Sequence, residues 1–318
     1  MNDTSPNSAH VRTFTTTSPI EACRLRLDDL KRLYRIINDR QIEYSQTVLG
    51  RLAQLSTETS EQFQERRNRV ANSFVTTINI TGDNNEIVSG SGESFLSAGN
   101  IPEKILTIFY TTIAGPSAVG ITPPMLENRA TLLLDFSRPT ALDFSKPPTL
   151  ATQNISNFQI SSSSESWFAA LNARLTQFFN ERRTGFDWLH KPGVYDLLLL
   201  IIGLPFALSI DYIISALVER SNLPSVFKSA VYVYFFFLGL YIFRGSFAYS
   251  RWVFPKIEIA SETSPPLRHR AVWGAIMIGV FGAVFGWLSG MQLKPCRDFS
   301  EQRLGSVPNK GIPNARAM

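Results

Sequence analysis

The sequence predicts an α+β domain joined to membrane helices: a long N-terminal helix, a small, mostly antiparallel sheet with a covering helix, then two to three transmembrane helices. Three observations carry this. Apolar residues recur at helical spacing from Leu30 to Leu55, the period drops to two from Ser73, and three apolar blocks fill the last third, Val194 to Val218, Val226 to Phe243 and Ala271 to Leu288. Each block approaches the roughly 20 apolar residues that cross a hydrocarbon core as a helix.

The chain opens on a Thr-, Ser- and Pro-rich stretch, residues 1–19, that has no apolar run of signal-peptide type and is expected to be disordered. Residues 20–70 are expected as one amphipathic helix. Leu30, Tyr34, Ile37, Tyr44, Val48, Leu52 and Leu55 form a narrow stripe that either packs on its own domain or zips chains together as a coiled coil, with Gln41 interrupting the seam.

Residues 73–190 read as a cytosolic α+β domain. Alternation over Phe74 to Ile80, the turn Gly82-Asp83-Asn84-Asn85, and Glu86 to Ser89 predict a hairpin. A turn at Glu93 to Leu96 follows, then strands at Ile105 to Ile113, Ala130 to Phe136 and Ser156 to Ile160. Gly115 to Pro124 lacks the Gly-Lys-Ser/Thr ending of a phosphate loop and is expected to connect strands. A short duplication, Leu134 to Pro139 and Leu142 to Pro147, carries Asp135/Arg138 and Asp143/Lys146, expected as surface charges. Ser164 caps a helix whose Trp167, Phe168, Leu171, Leu175, Phe178 and Phe179 can cover the sheet.

The membrane region spans 194–291, with spans at about 194–218, 226–243 and 271–288, and a disordered tail, 292–318, follows. Arg182, Arg183, Trp188 and Lys191 before the first span, and Arg251 and Trp252 after the second, are expected at the membrane interface. Basic residues between Arg244 and Arg270 put that segment in the cytosol. The basic tail then breaks the rule, so the third block either spans with a tolerated tail or lies re-entrant or along the surface. Pro205 is expected to kink the first span. Asp211, beside Tyr212, reads either as an interfacial residue or as a polar contact in an assembly. Gly282, Gly286 and Gly290, with Gly279 and Ala283 alongside, give a small-residue face for helix packing. Ile257-Glu258-Ile259, with the Ser/Thr/Pro stretch after it, reads either as an edge strand for the domain's sheet or as a short linker.

The net charge of +5 accompanies no zinc-finger, RNP or helix-turn-helix pattern, so it is assigned to membrane flanks rather than to nucleic-acid binding. Cys23 and Cys296 form no CxxC pair or disulfide framework, which suits a reducing compartment. No cofactor or metal site is expected.

Trp188-Leu189-His190 ahead of Tyr195-Asp196, Tyr232-Val233-Tyr234, and Arg251-Trp252-Val253-Phe254-Pro255 give the chain a layout that resembles a loose group of bacterial membrane-anchored proteins with a cytosolic α+β domain. The resemblance covers about Ser73 to Leu288. It implies a multi-pass protein of the inner membrane and brings no activity with it.

The expected partners are the lipid bilayer, further copies of the chain, and a cytosolic protein. The preferred reading is a non-enzymatic membrane protein whose cytosolic domain binds a partner or signal and whose helices self-associate, with membrane disturbance in phage defence as one form of it. The alternative is a membrane-tethered enzyme using Asp135, Asp143 and His190, though no Ser-His-Asp order, HExxH, Walker or kinase set is present. A transporter subunit is disfavoured, because the spans contain no inverted repeat.

Overall fold

The computed structural model describes residues 12–97, 99, 101–122, 126–141, 148–260, 268–276 and 278–279. Contacts divide the chain into two compact units, Met1–Ser264 and Pro265–Met318. In the second, residues 268–276 and 278–279 are helical, and Gly279 has open space where a Cβ would sit. Gly282, Ala283, Gly286, Gly290 and the tail lie outside the described residues.

The first unit is built on a six-stranded sheet with strands β1 (Phe14–Pro19), β3 (Thr77–Gly82), β4 (Ile87–Ser91), β5 (Ile105–Thr111), β6 (Arg129–Asp135) and β7 (Asn157–Ser162). The order is β1-β7-β6-β5-β3-β4, and every pair is antiparallel. Most of this was legible from the period of two. The exception is β1, which replaces expected disorder over residues 14–19. Phe-Thr-Thr-Thr is β-branched and aromatic, so it suits a strand. It finds its partner in β7, about 140 residues away, and Pro19 at its end is tolerated on an edge strand.

The expected single helix over 20–70 is corrected. Cys23–Leu25 form a strand, β2, and the helix runs as α1 (Leu27–Arg51) and α2 (Ser60–Ser73). Asp29 accepts from the Arg26 backbone N–H at 2.8 Å and fixes the start of α1. The break comes from Thr59, whose hydroxyl accepts from the Gln62 amide at 3.2 Å while the Gln62 side chain accepts from the Thr59 amide at 2.9 Å. This reciprocal box at Thr-x-x-Gln starts a new helix inside what reads as one continuous pattern. Glu58, in the connecting turn, takes two hydrogen bonds from Arg66, both 2.9 Å.

One sheet face carries Ile78, Ile80, Ile108, Tyr110, Leu132, Leu134, Phe158 and Ile160, all buried. They meet Leu30, Leu33, Tyr34, Ile37 and Tyr44 of α1 and Trp167, Leu171, Leu175 and Phe178 of α4 (Glu165–Asn180). The coiled-coil alternative is therefore corrected, since the stripe on α1 is spent on its own sheet. Gln41, expected to interrupt a seam, is fully buried and donates from Nε2 to the Thr112 carbonyl at 3.1 Å. The opposite face is more polar: the register aligns Thr17, Gln159, Thr131, Thr111, Thr77 and Ser91 in one row across the strands, and the next row carries Asn79, Phe109, Leu133 and Asn157. The segment after β5 forms a short helix, α3 (Ala114–Ala118), and a Cβ at Gly115 would collide with the Ser73 carbonyl oxygen.

Beyond α4 comes a helical hairpin. Its first arm, Val194–Arg220, comprises α5 (Val194–Leu198), a π turn (Leu199–Gly203) and α6 (Leu204–Arg220); its second arm is α7 (Ser225–Val253). Both arms are long and apolar enough to cross a membrane, and only 11% and 6% of their apolar windows are buried. The distortion expected at Pro205 takes the form of the π turn. Proline has no N–H for the Ile201 carbonyl, and the ladder is respaced just before it. The arms pack on small residues that the sequence reading passed over. A Cβ at Gly239 would lie 2.9 Å from Ala207 Cα, and one at Gly203 would lie 2.8 Å from the Phe243 ring.

Candidate functional site

The hairpin is fixed to the sheet domain at both of its ends. On the entry side, a 3-10 turn, Asp187–His190, follows α4 after a short connection, residues 181–186. On the exit side, Ile257–Ile259 form β8, which pairs in parallel with β2, Cys23 opposite Ile257 and Leu25 opposite Ile259. The expectation that this segment extends the main sheet is thus corrected. It makes a separate two-stranded sheet with a segment from the other end of the chain, and Glu258 on it is buried between Arg24 at 3.7 Å and Arg138 at 3.8 Å.

β2 is held on its second side as well. The Arg24 amide donates to the Arg182 carbonyl at 3.1 Å, the Thr184 amide to the Ala22 carbonyl at 2.8 Å, and the Ala22 amide to Asp187 Oδ1 at 3.1 Å. The chain entering the hairpin and the chain leaving it therefore share one strand between them. Cys23 lies in this strand, buried and free, and burial pushes its thiol up to about 12.

His190 closes the same joint. Its Nε2 donates to the Phe254 carbonyl at 2.7 Å, which defines the tautomer, and its Nδ1 then accepts from the Thr152 hydroxyl at 2.9 Å. Burial lowers its pKa to about 4, opposed by the Phe254 carbonyl; Arg251 and Lys256 push the same way as burial, and Asp187 against it. Phe186 stacks on Phe254 with centroids 4.1 Å apart. The imidazole is a neutral strut with both nitrogens engaged, which accounts for its place in the sequence without chemistry.

Arg251, on the last turns of α7, reaches back across the joint. Its Nε donates to the Leu189 carbonyl and its Nη1 to the Leu150 carbonyl, each at 3.0 Å, and Phe247 covers its face at 4.6 Å. The side chain is only 8% exposed, and Nη2 has no hydrogen-bond partner. It borders a cleft of about 500 Å³ between the β6–β7 connection and α7, lined also by Asp135, Ser137, Arg138, Thr152 and Gln153. Asp135, expected as a surface charge, is buried instead. Its carboxylate accepts from the amides of Ser137 at 2.9 Å and Ile155 at 3.4 Å. Arg138 pairs with Glu258 and stands over Trp252 at 5.9 Å. Asp143 and Lys146 lie outside the described residues.

The interfacial residues named from sequence divide into two groups. Arg183, Trp188 and Lys191 are exposed beside the hairpin's start, with Asp187 3.7 Å from Arg183 and 3.6 Å from Lys191. Arg182, Arg251 and Trp252 are turned inward: Arg182 bonds Asp29 at 2.7 Å and stacks on Phe178 at 3.8 Å, and Trp252 stacks on Tyr249 at 5.6 Å. Asp211, on α6, is half-buried with Oδ1 enclosed and without a hydrogen-bond partner. Pro205 lies just after the π turn, less than two helical turns before Asp211 on the same arm. Among the described residues no cluster of His, Cys, Asp or Glu could hold a metal ion.

These features describe an α+β domain bolted at two points to a hairpin of apolar helices. No protein-family model, curated protein or solved structure matches the chain.

Proposed function

We propose that this chain is a multi-pass protein of the bacterial inner membrane. Its N-terminal domain is cytoplasmic and binds a protein partner or signal, and its helices self-associate. The observation that carries the reading is the pairing of β2 with β8. Both ends of an outward-greasy hairpin return to one domain, so a change in the domain's packing is passed to two helices together rather than along a loose tether. Exposed Leu200, Ile201, Ile213, Leu217, Phe227, Tyr234 and Phe237 would be costly in water and suit lipid. Neither arm lies near the N-terminus, and neither is enclosed as a soluble core helix would be.

Self-association is supported by Asp211, whose enclosed, unpartnered oxygen seeks a donor within the apolar layer, and by the Gly282, Gly286 and Gly290 face of the third block. Membrane disturbance on assembly, as in a phage-defence effector, is the form of this function in which Asp211 would matter most. The membrane-tethered enzyme has less support, because His190 and Asp135 are occupied by backbone and hydroxyl partners.

Fusion reporters test the topology. Alkaline phosphatase should be active when joined after Asn222 and inactive after Ala260, with a fluorescent protein giving the reverse. Activity at both points or at neither would overturn the hairpin. Crosslinking in native membranes should trap dimers or larger species, weakened by Gly282→Leu with Gly286→Leu. Overexpression should depolarise cells less when Asp211 is replaced by Asn. A strict monomer unaffected by these changes would end the assembly reading.

A further inference from the structure

We propose that the cleft beside Arg251 binds a phosphate group. The source is either the headgroup of an anionic phospholipid or a soluble phosphorylated compound. The argument is one of uncompensated charge. A buried guanidinium costs several kcal/mol unless an anion answers it, and neutral carbonyls answer it only in part. Arg251 is more than nine-tenths buried, its Nε and Nη1 meet only the Leu189 and Leu150 carbonyls, and no described carboxylate lies within ion-pair distance. Its Nη2 is left over, at the wall of the cleft.

The other charged groups that line the cleft already have partners. Arg138 has Glu258 within 3.8 Å, and the Asp135 carboxylate is held by two backbone amides. Arg251 is thus the one lining cation among the described residues whose counter-ion is missing. A guanidinium with a spare amino group suits a phosphate oxygen better than a lysine would, since its planar fork can orient the group.

The surroundings fit the same ligand. Ser137 and Gln153 supply a hydroxyl and an amide, while Phe247 and the exposed Leu150 and Ile155 supply an apolar wall. About 500 Å³ is within the usual range for small-ligand sites. Arg251 lies eight residues beyond Phe243, the end of the second apolar block, which in a helix is roughly 12 Å. If the hairpin spans the bilayer, this is headgroup depth. The lipid source therefore rests on the membrane reading above, whereas the anion site itself does not.

The test uses the full chain in neutral maltoside detergent, with thermal unfolding as the readout. The probes are dihexanoyl phosphatidylglycerol, dihexanoyl phosphatidylcholine and glycerol 1-phosphate. The expected result is a rise in Tm with the anionic lipid, with an apparent affinity at least tenfold weaker in Arg251→Gln. Ala151→Trp fills the cleft from its exposed rim and keeps the Arg251 side chain, so it should lose binding while keeping the unliganded Tm, which covers the case in which Arg251→Gln fails to fold. Arg183→Gln, a surface change, should bind as the parent does. Stabilisation by phosphatidylglycerol alone assigns the headgroup, and equal stabilisation by glycerol 1-phosphate assigns a soluble phosphate compound. No stabilisation by either, or stabilisation that survives Ala151→Trp, overturns the site. Either failure leaves the fusion-reporter result standing, so the two readings fail separately.

Discussion

Acidification should loosen the joint between domain and hairpin before it affects the rest of the domain, and His190 is the reason. Its pKa lies near 4 in the fold, against about 6.5 in an unfolded chain, so between those values the unfolded state binds the extra proton. A depressed folded value means that its contribution is fully present above about pH 6.5, falls as pH drops through the window, and is gone near pH 4. At about 1.36 kcal/mol per pH unit, moving from pH 7 to pH 4.5 removes on the order of 2.5 kcal/mol. Glu58, Glu93 and Glu127, held below the usual carboxylate range by Arg66, by Arg35 and by Ser163 with Arg51, also lose their contributions on acidification. Their loss begins only as pH falls below the ordinary carboxylate value, so the upper part of the window belongs to histidine. The measurement is urea unfolding of the detergent-solubilised chain at half-unit pH steps, compared with His190→Gln, whose amide can donate to the Phe254 carbonyl without titrating. The parent should lose stability from pH 6.5 to 4.5 and the variant should stay nearly flat. The same slope in both, or a histidine nitrogen signal for residue 190 that titrates near 6.5, would refute the reasoning. With three histidines in the chain, that signal can be assigned by substitution.

Three further outcomes follow from particular contacts. Cys23, enclosed between β2's two neighbours with its thiol held protonated, should resist maleimide at pH 7.5 in the folded protein and react once the joint opens, so its labelling rate reports β2–β8 separation. Gly239→Leu should drive the hairpin's arms apart, because the first added carbon meets Ala207 backbone at 2.9 Å; a loss of about 1–3 kcal/mol, read as a lower Tm, is expected. Gly50→Ala should do the opposite, since nothing lies within 4 Å of the new Cβ inside α1, and a gain of about 0.5–1 kcal/mol should raise Tm.

The sequence by itself determined the elements whose signal is local. The alternation and β-branched runs placed β3 to β7 to within three residues at their ends, the serine cap placed α4, and the run of apolar residues marked both arms of the hairpin, because pleat, cap and a long apolar helix each impose a pattern on neighbouring residues. The Thr59-x-x-Gln62 box was also local and could have divided the long helix; the continuing stripe through Leu52 and Leu55 masked it. Tertiary structure alone decided the rest. Residues 14–19 become a strand only because β7 offers an open edge, and Cys23–Leu25 only because Lys256 to Ile259 returns from the far side of the hairpin. His190 and Arg251 acquire their meaning from carbonyls 64 and 101 residues away, at Phe254 and Leu150. No spacing rule reaches that far, since a hydrogen bond between distant segments leaves no period in the sequence, and so the joint, which is where this protein's domain and its apolar helices become one object, was visible only in the fold.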